Sequence, residues 1–137
     1  MQQTVVEREL EIQLVLSPGR SVPVPARLGY RSGDPYAVHL TFHTDSEHPV
    51  EWTFARELLV EGVFRPCGHG DVRVWPTKAE DRGVVLVALS SPDGDALLEL
   101  PATPVSAWLE RTLRAVPPGT EDGRLGIDDE LDELLAR

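Results

Sequence analysis

The sequence predicts an α+β domain built on a twisted antiparallel sheet of about seven strands, with one short helix between the fourth and fifth strands and helices at the C-terminal end. Three observations lead there. Apolar and polar residues alternate with a period of two in successive runs up to residue 100, the pattern of strands with one buried face. Turns bearing proline and glycine separate those runs. Beyond one short segment, helical spacing of apolar residues begins only after Thr103, and strands followed by helices are the order of an α+β chain.

The chain of 137 residues, 41% of them hydrophobic, suits one domain spanning residues 1–137 with a single core. Its one cysteine, Cys67, excludes an internal disulfide framework and fits a reducing cytosol. There is no basic leader followed by an apolar run, and no stretch approaches the ~20 apolar residues that cross a bilayer. A cytoplasmic location is expected, with membranes reached only through partners. The net charge of −10, from 13 basic and 23 acidic residues, repels phosphate backbones. No nucleic-acid partner is expected.

In order along the chain, Leu10, Ile12, Leu14 and Leu16 alternate with Glu7, Glu9, Glu11 and Gln13, giving a first strand over 6–16 with one wet, acidic face. Ser17-Pro18-Gly19-Arg20 turns it. Val22, Val24, Ala26, Leu28 and Tyr30 then point inward, opposite Pro23 and Pro25. Prolines cannot donate to a ladder, so this strand belongs at an edge or an irregularity. Tyr36, Val38, Leu40 and Phe42 make the third strand, and Val50, Trp52 and Phe54 the fourth. The latter runs straight into a helix over 55–62 that Gly62 closes in the left-handed conformation. Gly68 and Gly70 mark a turn before Val72 and Val74, a strand limited by Pro76. The unbroken run Val84–Leu89 reads as an interior strand covered on both faces. Ser91-Pro92-Asp93-Gly94 turns the chain into the last strand, Ala96 to Leu100. Thr103 caps a helix with Pro104 in its first position, whose stripe is Val105, Trp108, Leu109, Leu113 and Val116. After Pro117-Pro118-Gly119 and a polar linker, Asp128 to Arg137 forms a terminal helix.

Candidate reactive groups do not assemble into a site. His39 and His43, four positions apart on a strand, stand roughly 13 Å apart, too far to share an ion. Cys67 and His69 flank Gly68 as turn residues, with no third group to orient a base. Phosphate-binding, hydrolase and zinc-protease motifs are missing. The expectation is a protein without catalytic residues, metal or cofactor. Binding surfaces are the better candidates. The terminal helix offers a narrow apolar edge, Ile127, Leu131, Leu134 and Leu135, beside Asp128 and Glu130, fit to dock on a partner; packing on its own domain or on a neighbouring subunit stands equally open. Trp75, with Arg73, has the parity opposite to Val72 and Val74, and both are residue types enriched between subunits. Val22 and Val24, on the strand with the prolines, complete the candidates for an oligomer interface.

Five runs identify a relative. Asp34-Pro35-Tyr36-Ala37-Val38, Trp52-Thr53-Phe54-Ala55-Arg56-Glu57-Leu58-Leu59, Gly70-Asp71-Val72-Arg73-Val74-Trp75-Pro76, Ala88-Leu89-Ser90-Ser91-Pro92 and Val116-Pro117-Pro118-Gly119-Thr120-Glu121 resemble the SsgA-like proteins of actinobacteria, the SsgB branch most. The likeness covers nearly the whole chain. It implies a half-barrel similar to the whirly single-strand-binding fold, a homo-oligomer (a trimer), and a role in sporulation-specific division. By the same resemblance the partners are the tubulin-like division protein FtsZ and an SsgA-type paralogue, at division septa. Two other functions stay open: control of local cell-wall synthesis or autolysis through other proteins, and single-stranded nucleic-acid binding.

Overall fold

In a computed structural model that describes residues 3–44 and 47–122, the elements run β1 (Val5–Ser17), β2 (Arg20–Arg31), β3 (Ala37–Phe42), β4 (Val50–Ala55), α1 (Arg56–Gly62), β5 (Cys67–His69), β6 (Val72–Ala79), β7 (Arg82–Ser91), β8 (Gly94–Pro101) and α2 (Ala102–Ala115). The strands form one antiparallel sheet in the order β4-β3-β2-β1-β8-β7-β6-β5. Each half is a meander of consecutive strands, and the halves meet only at Gln13↔Glu99 and Leu14↔Leu98. So short a seam lets the sheet curl into a half-barrel. Helix α2 contacts β1, β7 and β8 with Val105, Trp108 and Leu109 buried. In the part of β1 that β8 does not reach, Trp108 Nε1 donates to the Val6 carbonyl at 3.0 Å. The indole thus ties α2 directly to the backbone of β1.

The alternating strands carry the core. Val24, Ala26, Leu28 and Tyr30 of β2 and Val38, Leu40 and Phe42 of β3 are all buried. Where the elements differ from expectation, the causes are local. The sheet has eight strands rather than seven. The residues read as a turn at Cys67 and His69 instead form β5, paired Cys67↔Val74, Gly68↔Arg73 and His69↔Val72. Three residues are too few for alternation to show. Gly62 does not close α1 in the left-handed region; it ends the helix as a buried residue, and Val63 takes the cap at φ −73°. Glycine is required there for another reason, because a Cβ would overlap the Val74 side chain of β6.

Helix α2 starts earlier than Thr103. Pro101 is its N-cap, without a side-chain cap bond, so Pro104 is the third helical residue, where its missing N–H is still one of the unpaired amides of a helix start. Strand β2 is interior along its C-terminal half, paired with β3 from Ala26↔Phe42 to Gly29↔His39. Its prolines lie beyond that register, opposite Gln13 and Glu11 of β1. The Pro25 carbonyl accepts from the His43 N–H at 3.0 Å, so the ring nitrogen at that position faces away from β1. The edge is therefore half a strand long, and the prolines occupy it. In β7, Val85, Val87 and Leu89 are buried while Leu86 and Ala88 are only half-buried. One face of that run is core and the other is incompletely covered.

Candidate partner-binding surfaces

The register places side chains of the second parity on one outer face. Across the β6–β7–β8 half, Trp75 lies beside Leu86 and Glu99, and Arg73 beside Ala88 and Leu97. A shallow cavity of about 630 Å³ is lined there by Val15, Arg73, Trp75, Ala88 and Leu97. Trp75 is half-buried and Arg73 exposed. The sequence-predicted pair thus meets an apolar patch drawn from four strands. The β1–β2 half of the same face is acidic. Glu7 and Glu9 flank Arg27 at 3.6 and 3.3 Å, and Glu11 is exposed next to them. Such solvent-exposed pairs contribute roughly 0–1 kcal/mol each, so they shape the potential more than the stability.

Val22 and Val24 do not join that patch. Val24 is 7% exposed within the core, because its parity on β2 is that of Ala26 and Leu28, and it is not free for a second subunit. Val22, 38% exposed, shares the inward parity but lies toward the β1–β2 turn beside Leu14, away from Trp75. The candidates on the terminal helix, Ile127, Asp128, Glu130, Leu131, Leu134 and Leu135, lie outside the described residues. Of the other aromatic candidates, Trp108 is wholly buried and Trp52 packs half-buried against the core.

The histidine pair is divided by the end of β3. His39 sits in the strand, its Nδ1 3.0 Å from Thr53 Oγ1 of β4 and its Nε2 3.7 Å from Asp34, whereas His43 follows the strand and is exposed. Cys67 is a free, half-buried thiol. The arginines that a nucleic-acid groove would need are dispersed over β2 (Arg27, Arg31), the turn after α1 (Arg65), β6 (Arg73) and the start of β7 (Arg82). Arg27 is held by glutamates, and Arg65 stands 3.7 Å from Glu61.

One constellation has no counterpart in the sequence reading. Arg56, the first residue of α1, is 3% exposed. One guanidinium nitrogen, Nη1, donates to the carbonyls of Thr112 and Val116 at 3.0 and 2.9 Å. The other, Nη2, donates to Glu121 Oε2 at 3.0 Å. Its Cζ lies 4.9 Å from the centre of the Tyr30 ring, within cation–π range. Thus the cation sits where α2 ends, at the negative end of the helix dipole, on the Thr112 carbonyl that also takes the capping Val116 N–H and on the Val116 carbonyl beside the proline stop. Glu121 Oε1 also accepts from the Gly119 N–H at 2.7 Å. Its own backbone N–H, the Arg56 guanidinium and the Gly119 amide hold the Glu121 carboxyl below its ordinary pKa, against the opposing effect of burial. Next along, Asp122 accepts from the Tyr36 hydroxyl, and that bond, with the nearby acids, pushes the Tyr36 pKa up to about 12. Position 56 meets position 121 across 65 residues, so no local spacing could have paired them; the only signal was that both fall within runs shared with the family.

Among the described residues no group of three or more His, Cys, Asp or Glu side chains could hold a metal ion, and no helix is long and apolar enough to cross a membrane. A family model described as Streptomyces sporulation and cell division protein, SsgA, matches residues 24–121. The chain is 56% identical over 133 residues to the sporulation-specific cell division protein SsgB of Streptomyces coelicolor, covering 97% of each. It is 46% identical over 130 residues to SsgB of Frankia casuarinae, covering 95% of this chain and 91% of that one. A solved structure described as "Mutations in SsgB correlate to longitudinal cell division during sporulation of Streptomyces coelicolor" superposes with a TM-score of 0.86 at 57% identity, over 89% of this chain and 96% of the other. The SsgA-like sporulation-specific cell division protein of Thermobifida fusca superposes equally well, TM-score 0.86 at 43% identity, over 95% of both chains.

Proposed function

The chain belongs to the SsgA family of sporulation and cell division proteins, and from that premise we propose that it is a sporulation-specific cell division protein that works by binding other proteins, without chemistry of its own. The observation that carries this reading is the 56% identity to a protein of that name over 97% of both chains. The surfaces are consistent with it. The described residues bear a patch around Trp75 and an acidic half-face.

In this reading the protein acts at division septa. It helps position them by recruiting FtsZ, in concert with an SsgA-type paralogue, and it assembles as a trimer. Arg73 and Trp75 contribute to contacts between copies, Val22 adds to them from the β1–β2 hairpin, and the edge formed by Ile127, Leu131, Leu134 and Leu135, with Asp128 and Glu130, meets the partner. Purified FtsZ titrated into the full chain should bind with saturation, and changing Leu131 and Leu134 together to serine should weaken binding at least tenfold. Absence of association at any salt concentration or nucleotide state of FtsZ would reject direct recruitment. Equal binding by the serine variant would move the contact off the terminal segment.

A further inference from the structure

We propose that Arg56 and Tyr36 form a clasp that fixes the course of the chain at Glu121 and Asp122, just ahead of residues 123–137, which makes Arg56 a positioning residue for whatever that following segment binds. The inference rests on the reading above only for the partner; the clasp itself rests on geometry. Two consecutive acids, Glu121 and Asp122, are each held by a donor from a different part of the chain. Arg56 at the start of α1 holds Glu121, and Tyr36, just before β3, holds Asp122. The two donors are themselves joined, because the Arg56 N–H donates to the Tyr36 carbonyl at 2.7 Å.

Core packing explains only part of this arrangement. The Nη1 bonds to Thr112 and Val116 complete the end of α2 and would do so without Glu121. The Nη2 bond serves residue 121 alone. Tyr36 is 44% exposed, so its hydroxyl has water available and needs no partner for burial. It nevertheless reaches the residue immediately before the segment 123–137. Between the helix and the clasp, Pro117 and Pro118 remove two backbone N–H donors, so the strap 117–122 is fastened by few amides of its own. Among those, Thr120 donates to the Pro117 carbonyl at 3.1 Å and Gly119 to Glu121 Oε1 at 2.7 Å. Side chains, more than a ladder, therefore set its course.

Hydrogen exchange on the full chain, with purified FtsZ as the probe for binding, tests the clasp. Tyr36→Phe removes the outer hook without opening the core, and Glu121→Gln weakens the inner one. Both should speed exchange at Gly119, Thr120 and Asp122 at least tenfold while the amides of β1, β2 and β7 keep their protection. Unchanged exchange at these positions in both variants would overturn the clasp, whether or not FtsZ binds. Where FtsZ binds, Tyr36→Phe should change its affinity several-fold at unchanged Tm. That change should vanish when Leu131 and Leu134 are already serine. An equal effect in that background would mean that Tyr36 touches FtsZ directly, and the positioning role would fall.

Discussion

Glu121 is the residue at which charge and architecture are most tightly coupled. Its folded pKa lies below the unfolded value, so the stability it contributes is present above the ordinary carboxylate range and is lost as pH falls through the lowered folded value. Glu121→Gln should therefore flatten the acid limb of the stability profile, and at neutral pH it should cost about 2 kcal/mol in denaturant melts. That is less than the ~3–5 kcal/mol of a fully buried pair broken on one side, because the Glu121 side chain is 12% exposed and Arg56 keeps its two helix carbonyls. Tyr36 has the opposite sign. With its pKa raised to about 12, its contribution is whole below the unfolded value near 10 and disappears as pH rises through the folded one. Asp122→Asn should bring the late tyrosine ionisation back toward 10 in an absorbance titration. A late component that survives the change would assign the shift to another cause. None of this was legible in the sequence. An arginine at a helix start looks like a solvated cation, and its role depends on three groups 56 to 65 positions away.

At the scale of elements, most of the fold was legible, because one-sided burial writes itself into alternation. The first four strands follow that pattern closely and the stripe of α2 follows the helical period, whereas the unbroken run Val84–Leu89, read as covered on both faces, has one face only partly covered. What escaped were elements fixed by contacts rather than by period. β5 is three residues long, α2 begins on a proline cap, and Gly62 looks like a helix stop when it is in fact a packing position. That last difference yields a prediction. In an exposed helix Gly→Ala stabilises by up to ~1 kcal/mol. Here the added Cβ meets Val74 Cγ1 and Cβ across the α1–β6 contact, and overpacking typically costs about 1–3 kcal/mol. Gly62→Ala should be net destabilising, and Val74→Ala in the same chain should recover part of the loss. If Gly62→Ala alone raises Tm, the contact yields easily and glycine is not required there. Trp108 offers the complementary case. Trp108→Phe keeps much of the packing but removes the indole bond to the Val6 carbonyl, a net loss of about 0.5–1.5 kcal/mol.

For the whole molecule the governing fact is that a chain of net charge −10 presents an outer face that is acidic on one half and apolar on the other. Copies of such a molecule repel at long range, and that repulsion is screened within ~10 Å at 0.1 M salt. Self-association at such a surface relies on short-range contact, and one candidate on the outer face is the patch of Trp75, Leu97, Ala88 and Val15. Sequence parity had pointed to Arg73 and Trp75. It could not supply Leu97, which pairs with Ala88 across β7 and β8, or Val15, which β1 brings to the patch beside β8. If the trimer forms there, sedimentation should show the assembled species gaining population as salt rises from 0.05 to about 0.5 M. Trp75→Glu should return the chain to monomers at micromolar concentration, by placing a desolvated charge in the contact. Glu9→Gln, on the acidic half, should strengthen assembly slightly or leave it unchanged. A trimer that survives Trp75→Glu, or that dissociates as salt rises, would show that the acidic half rather than the apolar half joins the copies, and Arg27 between Glu7 and Glu9 would then be the residue to change.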